Sequence, residues 1–407
     1  MAKAACFKHV PLDDAASFIR LLKLEPSLEA PVDRNGRVLI TMHSFKPSSA
    51  CPRFSALSYT WGPPSPTKML EVNGLSMPVR QNLFDFLDMY TNQIRDTTFL
   101  WVDQVCIDQN NILERNHQVG LMSSIFSNAH EVIVWLGPSA DNSDRVFEAI
   151  HASKLAEVES DPPWTDRLIA SYFEAIQDLF DRPYWTRLWV VQELLLARQI
   201  RVYCGPWSCW MRDLRHIANA VEEGLFGPNV RTHTRLWYLT SARSLHGNRP
   251  QMSLTKAIEV FSSAACEDPR DKIFGLVAII KEDERPPVDY ALTPEGVFID
   301  ACLTLSQIFL DGDDFSWDGD TEFVKALTCL ETTSSILFES ELWSRISQVC
   351  DAFPDNPFPD YDRRRAHEIN AVIDFERYLH AHKQGLSQDR RRHSSGSDHF
   401  QTTTTHD

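Results

Sequence analysis

The chain has 407 residues, 43% of them hydrophobic and 24% charged, with a formal net charge of -16 at pH 7. That length buries a full core and allows two or three domains, and the composition excludes a disordered or fibrous protein. The acidic balance argues against nucleic acid as a principal partner, because the dense basic runs, Arg363–Arg365 and Arg390–Arg392, fall near the end.

Residues 1–36 read as an N-terminal extension, and RVLITMH (Arg37–His43) reads as a strand entering the first domain. FSALSYTW (Phe54–Trp61) reads as a second strand, stopped by Gly62-Pro63-Pro64. Met69–Val72 and Leu75–Val79 flank Asn73-Gly74, whose positive φ angles suit a tight hairpin. Asn82 is the expected N-cap of a helix to about Tyr90, with Leu83, Phe84, Leu87 and Tyr90 on its apolar face.

Thr98–Val102 is a short apolar strand followed by the polar segment Asp103–Asn111. A helix over Leu113–Asn128 leads to the buried-type strand VIVWL (Val132–Leu136). Helices are expected over Asp144–Glu159 and Leu168–Asp181, and Thr186 is expected to cap LWVVQELLLA before a strand at Ile200–Cys204. Strands alternating with helices in this way predict an α/β domain with a mostly parallel sheet and flanking helices.

Beyond residue 212 the pattern is mainly helical to about residue 382, with Asp268-Pro269 and Thr293-Pro294 as helix starts. Arg270 is expected to dock the helix that follows it against the first domain. Residues 383–407 are polar and read as a disordered tail.

The motif search is mostly exclusionary. No glycine-rich phosphate loop, H-E-x-x-H or G-x-S-x-G occurs. A calcium loop counted from Asp314 fails at its twelfth position, Lys325, where a carboxylate is needed. Nine scattered cysteines with no C-x-x-C pair suggest reduced thiols, so no metal or disulfide framework is expected. The first residues lack a signal-peptide core and the apolar runs are too short to span a bilayer, so a soluble cytoplasmic protein is expected.

Polar groups recur at the ends of apolar elements. Ser58, Trp61 and Gly62 end one strand; Asp103, Asp108 and Gln109 follow another; Trp189 and Glu193 lie in the apolar helix. Ligands bind outside the carboxyl ends of open parallel sheets, which would place the first two groups at one crevice. Glu193 is either a site carboxylate or the partner of Arg187 or Arg198. The loop residues either bind a ribose hydroxyl or make turns, and Trp135 reads as core. Cys106 with His117 is a weaker nucleophile–base alternative.

LSYTWG, LWVDQVCIDQ…ERNHQV…VIVWLG, RLWVVQELLLA and EDPRDKIFGL, in this order, resemble the fungal heterokaryon-incompatibility (HET) domain family. The resemblance places a HET domain at 37–205, with core motifs at 54–204. It implies non-self recognition and programmed cell death signalling in a fungus, with an incompatibility partner or self-association. A more distant resemblance to Toll/interleukin-receptor (TIR) domains rests on Trp189 and Glu193-Leu194. It implies a TIR-like sheet and NAD as a substrate, cleaved with Glu193 as the key carboxylate. The alternative is a non-catalytic, self-associating interaction module.

Overall fold

The computed structural model describes residues 6–12, 14–24, 38–47, 51–96, 98–156, 164–222, 251–311, 325–330, 344, 346, 348–349 and 370–384. The chain divides into two units: Met1–Gln251 with Ala264–Cys266, and Met252–Ser263 with Glu267–Asp407.

The first unit is built on one sheet of order β5-β4-β2-β1-β6-β3-β7-β8-β9. Its centre is four parallel strands: β6 (Phe99–Trp101), β3 (Phe54–Tyr59), β7 (Glu131–Trp135) and β8 (Ile200–Cys204). Every residue of β3 and β7 is buried. Strands covered on both faces need runs of apolar or small residues rather than alternation, and FSALSY and EVIVW supply them. Taken in chain order, these four strands lie second, first, third, fourth, as in doubly wound sheets.

The outer strands make the sheet mixed rather than mostly parallel. β1 (Ile19–Leu24) pairs antiparallel with both β2 (Leu39–Phe45) and β6. β4 (Thr67–Val72) is parallel to β2 and antiparallel to β5 (Leu75–Arg80). Asn73 and Gly74 join β4 and β5 with φ of 52° and 77°, the turn that Asn-Gly favours. β9 (Trp207–Trp210) closes the other edge antiparallel to β8, in a stretch to which the sequence pattern assigned no element.

β1 lies within the stretch read as an N-terminal extension, so the domain begins before Arg37. The sequence hides this strand because Arg20 and Lys23 interrupt its apolar run. Arg20 is only 2% exposed and its guanidinium grips Glu114, 3% exposed, at 2.5 and 3.0 Å. It also donates to the carbonyls of Cys106 and Val10. Burial alone would raise the Glu114 carboxyl, but hydrogen bonds from Arg20 and the Asp108 N–H hold it below its ordinary value.

Helix α1 (Gln81–Met89) begins two residues earlier than the Asn82 cap would set, with Arg80 at the N-cap. Asn82 instead donates to the Thr60 carbonyl and accepts from the Trp135 indole N–H, stitching the ends of β3 and β7 together. The polar segment after β6 opens with a short helix, α2 (Asp103–Cys106). Helix α3 (Ile112–Asn128) is capped by the Asn111 side chain, which accepts from the Glu114 N–H. Helices α4 (Ser143–Ala156) and α5 (Trp164–Phe180) match the expected insertion, whose last residues, 157–159 of the first helix, lie outside the described set.

Thr186 does not cap a long helix. It ends a 3-10 turn (Pro183–Thr186), and α6 spans only Val190–Leu195. Arg187 between them is extended, and its flanking backbone groups bond to Ala265 rather than to a helical turn. Helix α7 (Met211–Glu222) is the last described helix of this unit.

The described part of the second unit is helical, with helices at Leu254–Phe261, Asp271–Phe274 and Pro294–Asp311. Thr293 accepts from the Gly296 N–H, as expected for the start of the last of these. Arg270 is tied within this unit: it pairs with Asp268 at 2.6 Å and donates to the carbonyls of Tyr290 and Leu292. Those bonds explain the residue without the docking role expected for it. Residues 383 and 384, expected in the tail, are instead the end of a helix over residues 370–384, and Lys383 bonds Asp300. Beyond 384, and for most of the acidic stretch 311–320, the expectations lie outside the described residues. Among the described residues no helix is long and apolar enough to cross a membrane, and no group of acidic, cysteine and histidine residues is placed to hold a metal.

Removing one member of a buried ion pair strands the other charge. Arg20→Met should therefore lower stability by about 3–5 kcal/mol in urea denaturation. The double variant with Glu114→Gln should recover a large part of that loss.

Candidate functional site

Because β3, β6 and β7 run parallel, the residues that follow them emerge at one edge of the sheet. Trp61 and Asp103, 42 residues apart, meet there: the indole N–H donates to the Asp103 carboxylate at 2.8 Å. The Arg80 guanidinium lies over the Trp61 ring, 5.0 Å from its centroid, and donates to the Gly62 carbonyl. Gly62 has φ +74°, a left-handed backbone that a side chain would strain, and this lets the chain turn back under Arg80. Trp61, Gly62, Arg80 and Asp103 are all half-buried.

Beneath this rim lies a fully buried polar centre. Ser58, inside β3, donates its hydroxyl to the Glu193 carboxylate and sits 2.6 Å from the Tyr184 hydroxyl. Ser58 is 0% exposed, Tyr184 1% and Glu193 4%. Arg187 donates to the Tyr59 carbonyl at the end of β3. Its charge acts on Glu193, Asp103, Tyr59 and Tyr184.

The electrostatics follow from burial. Loss of solvent pushes the Glu193 carboxyl up to about 7, against the Arg187 charge and the Ser58 hydrogen bond, and the Asp103 charge adds to the rise. Burial likewise raises the Asp103 carboxyl, opposed by Arg187, Trp61 and the Gln104 N–H. Tyr59 and Tyr184 are held well above the ordinary phenol range, first by burial and then by the neighbouring carboxylates. The Tyr59 hydroxyl is buried without a hydrogen-bond partner.

Ser58, Trp61, Gly62, Asp103 and Glu193 are thus brought to one place. Gln109 joins from outside, donating to the Asp103 carbonyl at 3.0 Å and ordering the loop. Asp108 turns away: its carboxylate accepts from the Asn110 N–H and lies 3.9 Å from His9. It has the turn-making role open to it from sequence. Trp189 stands at the start of α6, where its carbonyl accepts the Glu193 N–H. Arg198 is not the partner of Glu193; it bonds the Ser127 carbonyl and Asn128.

The thiol alternative fails on burial. Cys106 is 0% exposed, its sulfur accepts from the Val102 N–H, and desolvation pushes the thiol up to about 12. Such a thiol carries almost no thiolate at neutral pH, and His117 is exposed on α3. Tyr184, Arg80 and the cross-strand use of Asn82 are functional features that no local pattern announces. Their roles depend on partners 18 to 126 residues away in the chain.

Residues 54–193 match the family model described as Heterokaryon incompatibility protein (HET). The protein "Heterokaryon incompatibility protein 6, OR allele" of Neurospora crassa is 30% identical over 241 residues, covering 49% of this chain and 35% of that protein. The chain therefore spans about a third of the length of the curated relative it matches. Both findings support the HET family for this part of the chain. No solved structure matches the chain significantly.

The Glu193 carboxyl generates a pH dependence whose sign is set by its raised folded value. Below about 4.5 it is protonated in both states, so it contributes equally to each. Between about 4.5 and about 7 the unfolded chain ionises while the folded protein keeps the proton. Stability therefore falls as pH rises through that window, by on the order of 3 kcal/mol, and levels off above it. Glu193→Gln should remove this component. Urea denaturation of both proteins from pH 5 to 8 should show the variant gaining relative to the wild type as pH rises.

Proposed function

We propose that this chain is a fungal incompatibility-related protein that acts inside the cell in non-self recognition and programmed cell death signalling, through a HET domain working as a self-associating interaction module. The observation that carries this reading is the coincidence of the family match with the polar centre. The match runs from Phe54, the first residue of β3, to Glu193, and its two ends are joined through the Ser58–Glu193 hydrogen bond. The matched stretch is the segment needed to close this buried network.

The state of Glu193 favours the module over an enzyme. A carboxylate that acts on a substrate must reach it, whereas this one is 4% exposed and engaged by Ser58. An associating surface is available nearby. Leu113 and Ile112, at the start of α3, are 71% and 47% exposed, and Val10 is 78% exposed. Arg20 binds both the Val10 carbonyl and Glu114, which keeps these apolar groups in one neighbourhood. The partner is a second copy of the chain or an incompatibility protein.

NAD hydrolysis is the second reading. It rests on the resemblance of Trp189 and Glu193-Leu194 to TIR domains, and the single observation favouring it is a carboxyl raised to about 7 one helical turn beyond the half-buried Trp189. With Glu193 enclosed, these residues do not present a carboxylate to a ribose, and no catalytic step is derived from them.

Two measurements separate the readings. Leu113→Asp, on an exposed position, should abolish death signalling in a fungal host while leaving the urea midpoint within about 0.5 kcal/mol of wild type. Purified protein incubated with NAD should release no nicotinamide, alone or after induced oligomerisation. Release that disappears in Glu193→Gln would replace the module with the enzyme.

A further inference from the structure

Three residues of the later chain belong to the first unit. Ala264–Cys266 is part of it, although Met252–Ser263 before and Glu267 onward belong to the second. The Ala265 N–H donates to the Thr186 carbonyl at 2.8 Å, and its carbonyl accepts the Leu188 N–H at 2.8 Å. Together these form a parallel bridge on Arg187.

Arg187 is thus pinned from both sides. Its backbone is extended, with φ -69° and ψ 143°, between the 3-10 turn and α6, where no helical partner serves its neighbours. Without Ala265 the Thr186 carbonyl and the N–H of the buried Leu188 lose these partners, and a buried backbone N–H does not stay unpaired. From this position the Arg187 side chain donates to the Tyr59 carbonyl.

We propose that Ala264–Cys266 is a regulatory strap that fixes Arg187 and thereby controls whether the Glu193 carboxyl carries a charge. The groups facing that carboxyl are Ser58 and the end of β3, Tyr184 from the 3-10 turn, Asp103 from α2, and Arg187. Of these only Arg187 supplies positive charge, so it is the member whose position favours ionisation. With the strap seated, Arg187 stays on β3 and Glu193 releases its proton to solvent near neutral pH. With the strap displaced, Arg187 is free to withdraw, Asp103 remains, and Glu193 keeps its proton. The strap continues in both directions into the second unit, so the chain itself is the path by which a change there reaches it. This holds whether the domain works by association or by chemistry, because it concerns only the charge of Glu193.

The test uses the full chain and a cycle of Ala265→Pro, which removes the N–H donated to Thr186, with Glu193→Gln. In the wild-type background the stability advantage of Gln over Glu should level off above about pH 7. In the Ala265→Pro background it should still be growing at pH 8, a shift of about one pH unit. Levelling at the same pH in both backgrounds would make Ala265 a structural contact only and overturn the proposal. Should Ala265→Pro fail to fold, amide exchange decides the matter by reciprocity. At pH 8 the Ala265 and Leu188 amides should exchange about tenfold more slowly in the wild type than in Glu193→Gln, with no difference at pH 5.5. Equal protection at both pH values would sink the strap.

Discussion

The hydrogen bond from Ser58 to Glu193 is the constraint on which the first unit turns. It places a carboxyl where water does not reach, and that carboxyl then governs what can surround it. A buried carboxyl must be neutral, paired or hydrogen-bonded, and this one is hydrogen-bonded and keeps its proton. Ser58 donates to it, Arg187 is held near it, and burial keeps its proton to about pH 7. Tyr184 adds a second hydroxyl on Ser58, which links the 3-10 turn to the central strand. Such networks specify one arrangement because any member left unsatisfied is costly in a low-dielectric interior.

The same constraint shapes the backbone around it. Helix α6 is short because Arg187 must remain extended to reach β3, and Ala265 supplies the hydrogen bonds that a longer helix would have made. Asn82 is drawn away from capping for a similar reason, because it satisfies Thr60 and Trp135 at the ends of neighbouring parallel strands. Above the centre, the Trp61–Asp103 bond and the Arg80 stack close the rim. On the far side of α2, the Arg20–Glu114 pair secures β1 to the start of α3. Two buried ionic centres thus bracket the Asp103–Cys106 helix.

Parts of this were legible in the chain. Asn73-Gly74 permits few conformations, so the hairpin follows from local sterics. Apart from Glu131 and Arg201, β3, β7 and β8 are runs of apolar, aromatic or small residues, which marks central parallel strands. That strands β3 and β6 deliver Trp61 and Asp103 to one place follows from parallel topology alone. β1 was not legible, because a strand carrying Arg20 looks like surface until Glu114 is found 94 residues later. β9 was hidden too, its four residues offering no alternation long enough to read.

By itself, the sequence determined an α/β domain whose polar residues gather at strand ends, together with the motifs from LSYTWG to the Glu193 helix that fall within the HET match. Periodicity and turn chemistry are local, acting over a few residues, and a single chain carries them openly. Only the tertiary structure decided that Glu193 is enclosed, that Ser58 and Tyr184 are its neighbours, and that Ala265 returns to pin Arg187. The physical reason is that burial and charge state belong to an environment. Here that environment is assembled from segments up to 135 residues apart, none of which bears a mark of the others.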